Sequence, residues 1–378
     1  MIILDCTELY VNPVRTGIQR VVRELLRCWP TDAPEARPAR FAAGVGLVSL
    51  SSRAVRLLTE EEPGSDKLSY ADVVGKLSQI ALETGAEILQ GGLVFIPEVF
   101  YDPARCAFYQ EMIAAQKGAV ALLAYDFLPF LRPEMFRLRT ALPLMHYLRL
   151  VRSLSHVGHI SDQTRADYCE RISRNQPRAT GPVLPLGADG LKLERQSWSR
   201  GRRTFVALGS LDGRKNQHLI VEAFIQLWEA GHNIPLTLVG RAFENLDLDW
   251  LAEADRYPAF RWLDAATDDD VAKVLRTARA TIYVSEMEGF GLPPVESLAV
   301  GIPAIVARAI PSIVMLPRAG QVRLDAVASG AIADAVLHLM NDGSAAELWS
   351  EAAELRMPSW KAFAAKTAEW LLEVRASE

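Results

Sequence analysis

The stretch from Thr204 to Ala307 limits the possible folds most. Short apolar segments recur through it: Thr204–Leu208, Leu236–Val239, Phe260–Leu263, Ala280–Val284 and Ala304–Ala307. Segments this short, apolar and partly β-branched read as buried strands. After the first, Leu219, Ile220, Ala223, Phe224, Leu227 and Trp228 follow helical spacing, and Gly231 is placed to end that helix. After the third, Asp268 is placed as a cap ahead of Val271, Val274 and Leu275 on one helical face. Strands alternating with helices of this length predict a parallel, doubly wound sheet, because parallel neighbours need a crossover and a helix supplies it.

The first half repeats the theme with weaker punctuation. Ile2–Leu4, Leu93–Ile96, Val120–Ala124 and His156–Ile160 read as strands. Thr16-Gly17-Ile18-Gln19 has capping-box spacing, and Val21, Val22, Leu25, Leu26 and Trp29 then form one amphipathic face. Residues 49–90 give no clear pattern. A polar, basic stretch at about 173–203 reads as a linker, and Ser359–Val374 as a helix carrying Trp360, Phe363, Trp370 and Leu371. The 378 residues suffice for two domains. The expected division is a Rossmann-like domain over 1–185, a second over 186–356, and a closing helix over 357–378.

Composition excludes several functions. A net charge of -5 provides no basic field for nucleic acid. Cys6, Cys28, Cys106 and Cys169 lie far apart with no C-x-x-C pair, which argues against a disulfide framework and favours a reducing cytosol. The chain opens directly into a strand, so no signal peptide is expected. The longest apolar run, Ala119–Leu131, contains Asp126 and is too short to span a bilayer. Asp247-Leu248-Asp249 imitates a metal-binding D-x-D but lies in a polar connection, and the histidines lack ligand spacing. No metal and no cofactor are expected.

The chemistry concentrates in Glu288-Gly-Phe-Gly-Leu-Pro-Pro-Val-Glu296. Gly289 and Gly291 allow a tight turn and close approach of a ligand. Pro293 and Pro294 suit a first helical turn, where a missing N–H costs nothing. A strand, glycine loop and helix N-terminus together suit a phosphate, and two ionised carboxylates beside it suit sugar hydroxyls. Upstream, Gly209-Ser210-Leu-Asp-Gly-Arg214-Lys215-Asn216 places two cations at a helix start. There they suit a leaving pyrophosphate. Two doubly wound domains would set such groups at a cleft along carboxyl strand ends.

Together, the Arg-Lys-Asn run and EGFGLPPVE some 70 residues later resemble the GT-B retaining glycosyltransferases of family four. Bacterial mannosyl- and rhamnosyltransferases of surface polysaccharide assembly, O-antigen included, are close relatives in that family. The resemblance is strongest from about 204 to 312. Weaker matches lie at Thr16–Arg20, Tyr125-Asp126 with Pro129, Ser161 and Leu186–Asp189. It implies two Rossmann-like domains facing a central cleft, with the C-terminal helix crossing back to the first. It also implies that Lys215 and Arg214 meet the donor diphosphate and that Glu288 sits by the transferred sugar. Phe290, Gly291 and Leu292 would then offer backbone N–H groups, with Glu296 on the ribose. Gly17 would admit the phosphates, while Gly209, Gly240, Leu263 and Asp264 would frame the donor at the strand ends. Two positions depart from the pattern: Ser210 stands where relatives often have Arg, and Tyr125 where they often have a His that contacts the donor sugar before Asp126, a contact the Tyr125 hydroxyl would make instead.

The activity implied is metal-independent transfer of a hexose or 6-deoxyhexose, GDP-mannose first, with retention at the anomeric carbon. The acceptor would be a growing glycan or lipid-linked saccharide, at the inner face of the membrane. No pair of carboxylates set for ordinary double displacement is evident. The departing phosphate would take the acceptor proton, and Glu288 would position rather than attack. Two alternatives stand beside this one: a nucleotide-sugar epimerase, and a catalytically silent subunit that partners an active transferase. The segment Arg132–Arg152, with Arg137, Arg139 and Arg149 between, is either a core helix with a solvated face or a surface for anionic lipid or a lipid-linked pyrophosphate.

Overall fold

Parallel pairing around buried strands organises both halves of the chain. The computed structural model describes residues 1–13, 16–59, 70–85, 87–136, 144–173, 180–242, 248–264 and 266–377. They form two compact units, Met1–Leu186 with Ser359–Glu378, and Gly187–Pro358.

The first unit holds β1 (Ile2–Asp5), β2 (Ala36–Ala42), β3 (Gly46–Ser49), β4 (Ile88–Leu89), β5 (Leu93–Ile96), β6 (Ala119–Ala124), β7 (His156–His159) and β8 (Thr180–Val183). Their order is β4-β3-β2-β1-β5-β6-β7-β8. β3 runs antiparallel to both its neighbours, and every other pair is parallel. One face packs on a core that includes Ile96, Phe100, Tyr109, Leu122, Tyr147 and Leu150. The other is covered by helices Gly17–Cys28 and Trp360–Ser377. Trp370 of the latter meets Phe95 edge to face at 6.0 Å. A Cβ on Gly158 of β7 would lie 2.9 Å from the Trp370 ring, so that glycine is what lets the indole seat.

The second unit holds β9 (Thr204–Leu208), β10 (Leu236–Val239), β11 (Phe260–Leu263), β12 (Ala278–Tyr283), β13 (Ala304–Ala307) and β14 (Gln321–Leu324), all parallel. Their order, β11-β10-β9-β12-β13-β14, is the Rossmann order 3-2-1-4-5-6 counted from β9. Every residue of β10, β12 and β13 is buried, as expected of strands covered on both faces.

Several local expectations need correction. Thr16 precedes helix Gly17–Cys28 without a side-chain cap bond, and Gln19 is buried. The reciprocal box forms elsewhere: Thr267, not Asp268, caps helix Asp268–Thr277. Its hydroxyl accepts from Asp270 N at 3.2 Å, and the Asp270 carboxylate accepts from Thr267 N at 3.1 Å. The stretch read as a linker is largely built into the two units. Residues 180–183 are the edge strand β8, where Pro182 sacrifices no needed N–H. Trp198 lies under the Arg279 guanidinium, 4.8 Å from carbon to ring centre, and Arg202 lies over Trp349 at 4.7 Å. Arg279 is itself buried and donates to the carbonyls of Leu339, Arg202 and Met340 and to Asp342. Of Asp247-Leu248-Asp249, Asp247 lies outside the described residues, and Asp249 opens helix Asp249–Ala254. Among the described residues, no helix is long and apolar enough to cross a membrane.

Candidate active site

In the second unit the direction of winding reverses between β9 and β12. Loops leaving the carboxyl ends of two such strands flank a crevice, the usual place for a ligand on an open parallel sheet. The Gly209–Asn216 and Val284–Gly291 loops occupy that place.

The first loop is folded around Lys215. Gly209 has φ +127°, and a Cβ there would lie 3.0 Å from Lys215 Nζ, so only glycine leaves the ammonium its seat. Lys215 Nζ donates to Ser210 Oγ at 3.2 Å. Burial pulls the Lys215 pKa down, against the opposing pull of the Glu288 carboxylate. Arg214 is committed differently from the sequence expectation. Its Nη2 donates to Asp212 Oδ2 at 2.8 Å and its Nη1 to Met287 O at 3.4 Å. Burial pushes the Asp212 carboxyl up, but hydrogen bonds and charge from Arg214 outweigh it and hold the group below its ordinary range. Asn216, left-handed at φ +53°, precedes helix Gln217–Glu229 and donates to Val284 O at 3.0 Å. Glu286 N donates back to Arg214 O at 2.7 Å, so the two loops are stitched together.

The second loop presents Glu288 and a short row of N–H groups. Glu288 Oε1 accepts from Tyr283 OH at 2.6 Å and from Ser285 Oγ at 2.8 Å. Gly291, at φ +91°, precedes helix Leu292–Ala299, and a side chain there would strike Ile310. Buried Ser312 takes two carbonyls of the loop: its N–H donates to Phe290 O at 2.9 Å and its hydroxyl to Gly291 O at 2.7 Å. In a trans peptide the N–H points opposite to the carbonyl. The N–H groups of Gly291 and Leu292 therefore point away from Ser312. Pro293 and Pro294 have no N–H, so the first helical turn offers fewer donors than usual. The Phe290 ring is buried, leaving its backbone as the group on offer. Gly289 is buried too. Glu296 is the fifth helical residue, one past the first turn, and is buried at 5% exposure.

The neighbouring strand ends close the flank. Gly240 has φ +153°, and a Cβ on it would fall on the Gly209 carbonyl. Its N–H donates to Leu263 O at 3.0 Å and its carbonyl accepts from Trp262 Nε1 at 3.0 Å. Asp264 Oδ1 accepts from Ala242 N at 3.2 Å.

Gly17, Tyr125 and Asp126 belong to the first unit. Gly17 is exposed at the start of its helix, with open space where a Cβ would stand. Tyr125 is buried and its hydroxyl donates to Pro97 O at 2.8 Å, which spends the hydroxyl that the sequence held for a ligand. Asp126 Oδ1 turns the chain by accepting from Leu128 N at 3.1 Å. Asp212, Tyr283, Ser285 and Ser312 were not singled out from sequence. Only Asp212, two residues before Arg214 in a Gly-containing turn, carried a local signal.

The fold is shared with known proteins. Over 98% of this chain and 99% of the other, the structure is similar to Anabaena HepE in complex with UDP and glucose, at TM-score 0.66 and 16% identity. It is similar to sucrose-phosphate synthase from Thermosynechococcus elongatus at TM-score 0.66 and 16% identity, over 100% and 99% of the two chains. These likenesses define the class: the fold is GT-B, two Rossmann-like units in one chain. Within it, residues 192–356, most of the second unit, match the family model of glycosyl transferases group 1. A stretch of 108 residues is 32% identical to the serotype-specific mannosyltransferase WbdA of Escherichia coli, covering 27% of this chain and 13% of that protein. Another of 133 residues is 30% identical to the Escherichia coli O-antigen chain mannosyltransferase B, covering 34% and 33%. The matches thus span a third or less of these relatives' lengths.

Proposed function

We propose that the protein transfers a hexose or 6-deoxyhexose from a nucleoside-diphosphate sugar, GDP-mannose first, to a growing glycan or lipid-linked saccharide. Transfer proceeds with retention and without a metal or cofactor. One observation carries this: Lys215, seated over Gly209, shares the switch point with Glu288 and with the outward N–H groups of Gly291 and Leu292. A cation and N–H donors suit the two phosphates, and a carboxylate suits a sugar hydroxyl. As the bond to the sugar breaks, negative charge grows on the diphosphate, where Lys215 and those donors stabilise it. Arg214, paired with Asp212, contributes through the loop it stitches as well as through its charge. Glu296, Gly240, Leu263 and Asp264 frame the ribose and base.

The acceptor side rests on helix Leu144–Ser153, which buries Leu144, Tyr147, Leu150 and Val151 and turns Met145, His146, Arg149 and Arg152 outward. Arg137 and Arg139 lie outside the described residues. That face suits an anionic lipid surface or lipid-linked pyrophosphate at the inner side of a membrane. Liposome binding unchanged by charge reversal of Arg149 and Arg152 would remove this part.

The direct test is a thermal-shift panel with GDP, UDP, dTDP and ADP on wild type and Lys215→Ala. Ligand at about 100 times its dissociation constant adds about 2.7 kcal/mol of stability. A shift with one base, lost in Lys215→Ala, supports the diphosphate site and selects the donor for anomeric product analysis. No shift with any nucleotide favours a silent subunit instead.

A further inference from the structure

Among the described residues, the side chains that hold Glu288 both bond to one of its oxygens. Tyr283 OH and Ser285 Oγ both donate to Oε1, at 2.6 and 2.8 Å. The Tyr283 ring is locked from behind, in a core cluster with Leu298, Val306, Ile310 and Ile313. Its Cε1 lies 3.7 Å from where a Cβ on Gly291 would stand, so the ring packs beside the turn that leads into the helix. Ser285 is buried at the end of the same strand, and its hydroxyl also lies 3.3 Å from Arg214 O. A rigid aromatic and a buried serine thus converge on one carboxylate oxygen from a single strand end.

We infer that Tyr283 and Ser285 are positioning residues that fix Glu288 as a single-oxygen acceptor, with Oε2 presented to a hydroxyl of the transferred sugar. The inference rests on the glycosyl-transfer reading above. Two hydroxyl donors occupy Oε1 and leave Oε2 as the acceptor. They also remove the rotation that would swap the two oxygens, so the sugar meets a preorganised acceptor. Tyr283 is buried and acts through Glu288, so its effect belongs in turnover and not in diphosphate affinity.

The test compares wild type, Tyr283→Phe, Ser285→Ala, Glu288→Gln and the Tyr283→Phe/Glu288→Gln double variant, reading kcat, donor KM, nucleoside-diphosphate affinity and Tm. Tyr283→Phe keeps the packed ring and removes only the hydroxyl. The expected result is a kcat about tenfold lower with nucleoside-diphosphate affinity within about twofold, the size of one lost charged hydrogen bond. The double variant turns over no more slowly than Glu288→Gln alone. Multiplying losses in the double variant, or a Tyr283→Phe that weakens diphosphate binding as much as it slows turnover, would overturn the inference. If wild type transfers no sugar from any donor, the glycosyl-transfer reading fails, and Tm still separates the cases. Additive Tm losses then remove the clamp, and a coupled loss reduces it to a structural bond without a positioning role.

Discussion

Replacing His159 by Phe should make the protein more stable, and increasingly so as the pH falls. His159 closes β7 with no exposure to solvent, and among the described residues neither ring nitrogen has a hydrogen-bond partner. Its ring lies 5.1 Å from that of Tyr168, in an apolar setting that suits an aromatic. Burial, assisted by the charge of Arg165, lowers its pKa from 6.5 to about 3. In the unfolded chain the imidazole regains its ordinary value, so between these limits the unfolded state binds the extra proton. Stability from this group is therefore complete above pH 6.5 and erodes as the pH falls toward 3. Linkage over 6.5 and 3 gives a loss of about 2 kcal/mol between pH 8 and pH 5. Phe has nothing to protonate and no stranded N–H, whose burial costs about 1–3 kcal/mol. Overpacking by the larger ring would reduce the gain at pH 8 but not its growth with acidity. Urea denaturation of both proteins at pH 8 and pH 5 reads the difference, in which the other histidines cancel. A stability gap that stays constant within about 0.5 kcal/mol across that range would refute a buried, neutral His159.

Other consequences are as direct. Gly240→Ala puts a methyl group on the Gly209 carbonyl at φ +153°, and a loss of about 2–4 kcal/mol is expected in chemical denaturation, with the diphosphate-dependent thermal shift lost as well. Arg279→Met strands the Leu339, Met340 and Arg202 carbonyls and uncovers Trp198, and should cost about 3–5 kcal/mol, read by the same denaturation. Asp212→Asn frees the Arg214 guanidinium from a carboxylate, so nucleoside-diphosphate affinity by calorimetry should rise a few-fold, about 0.5–1 kcal/mol. An unchanged or weaker affinity would mean that the pair serves to hold the loop.

The second unit was legible because its central strands are buried on both faces and read as unbroken apolar runs. β9, β10, β11 and β13 fall where the residues place them, and β12 begins two residues earlier. β14 escaped because Gln321 and Arg323 interrupt an edge strand that is mostly half-exposed. In the first unit β2 carries Arg37, Pro38 and Arg40, and β8 carries Gly181-Pro182, patterns that locally signal turns. Tertiary pairing overrides them. For the site, the glycines and charges named the loops, since strand–glycine–helix chemistry is local. Which partner each charge takes is not local. Asp212 claims Arg214, Tyr283 and Ser285 claim Glu288, and Ser312 orients a loop 21 residues upstream. Tyr125 read as a ligand contact because a strand-end tyrosine beside an aspartate does not reveal that Pro97 O takes its hydroxyl.

The helix Trp360–Ser377 completes the unit that contains the first strand. On a ribosome adding about 5–20 residues per second, the intervening stretch Gly187–Pro358 takes roughly 10–30 s to emerge. Through that interval the nascent first unit lacks the Trp370 ring that seats on Phe95 and Gly158, and the part of the sheet face under the final helix stays uncovered. The second unit, by contrast, is continuous in sequence and has no such wait. The half of the molecule made first is thus the half finished last, and chaperone dependence during synthesis should follow the final helix more closely than any residue of the site.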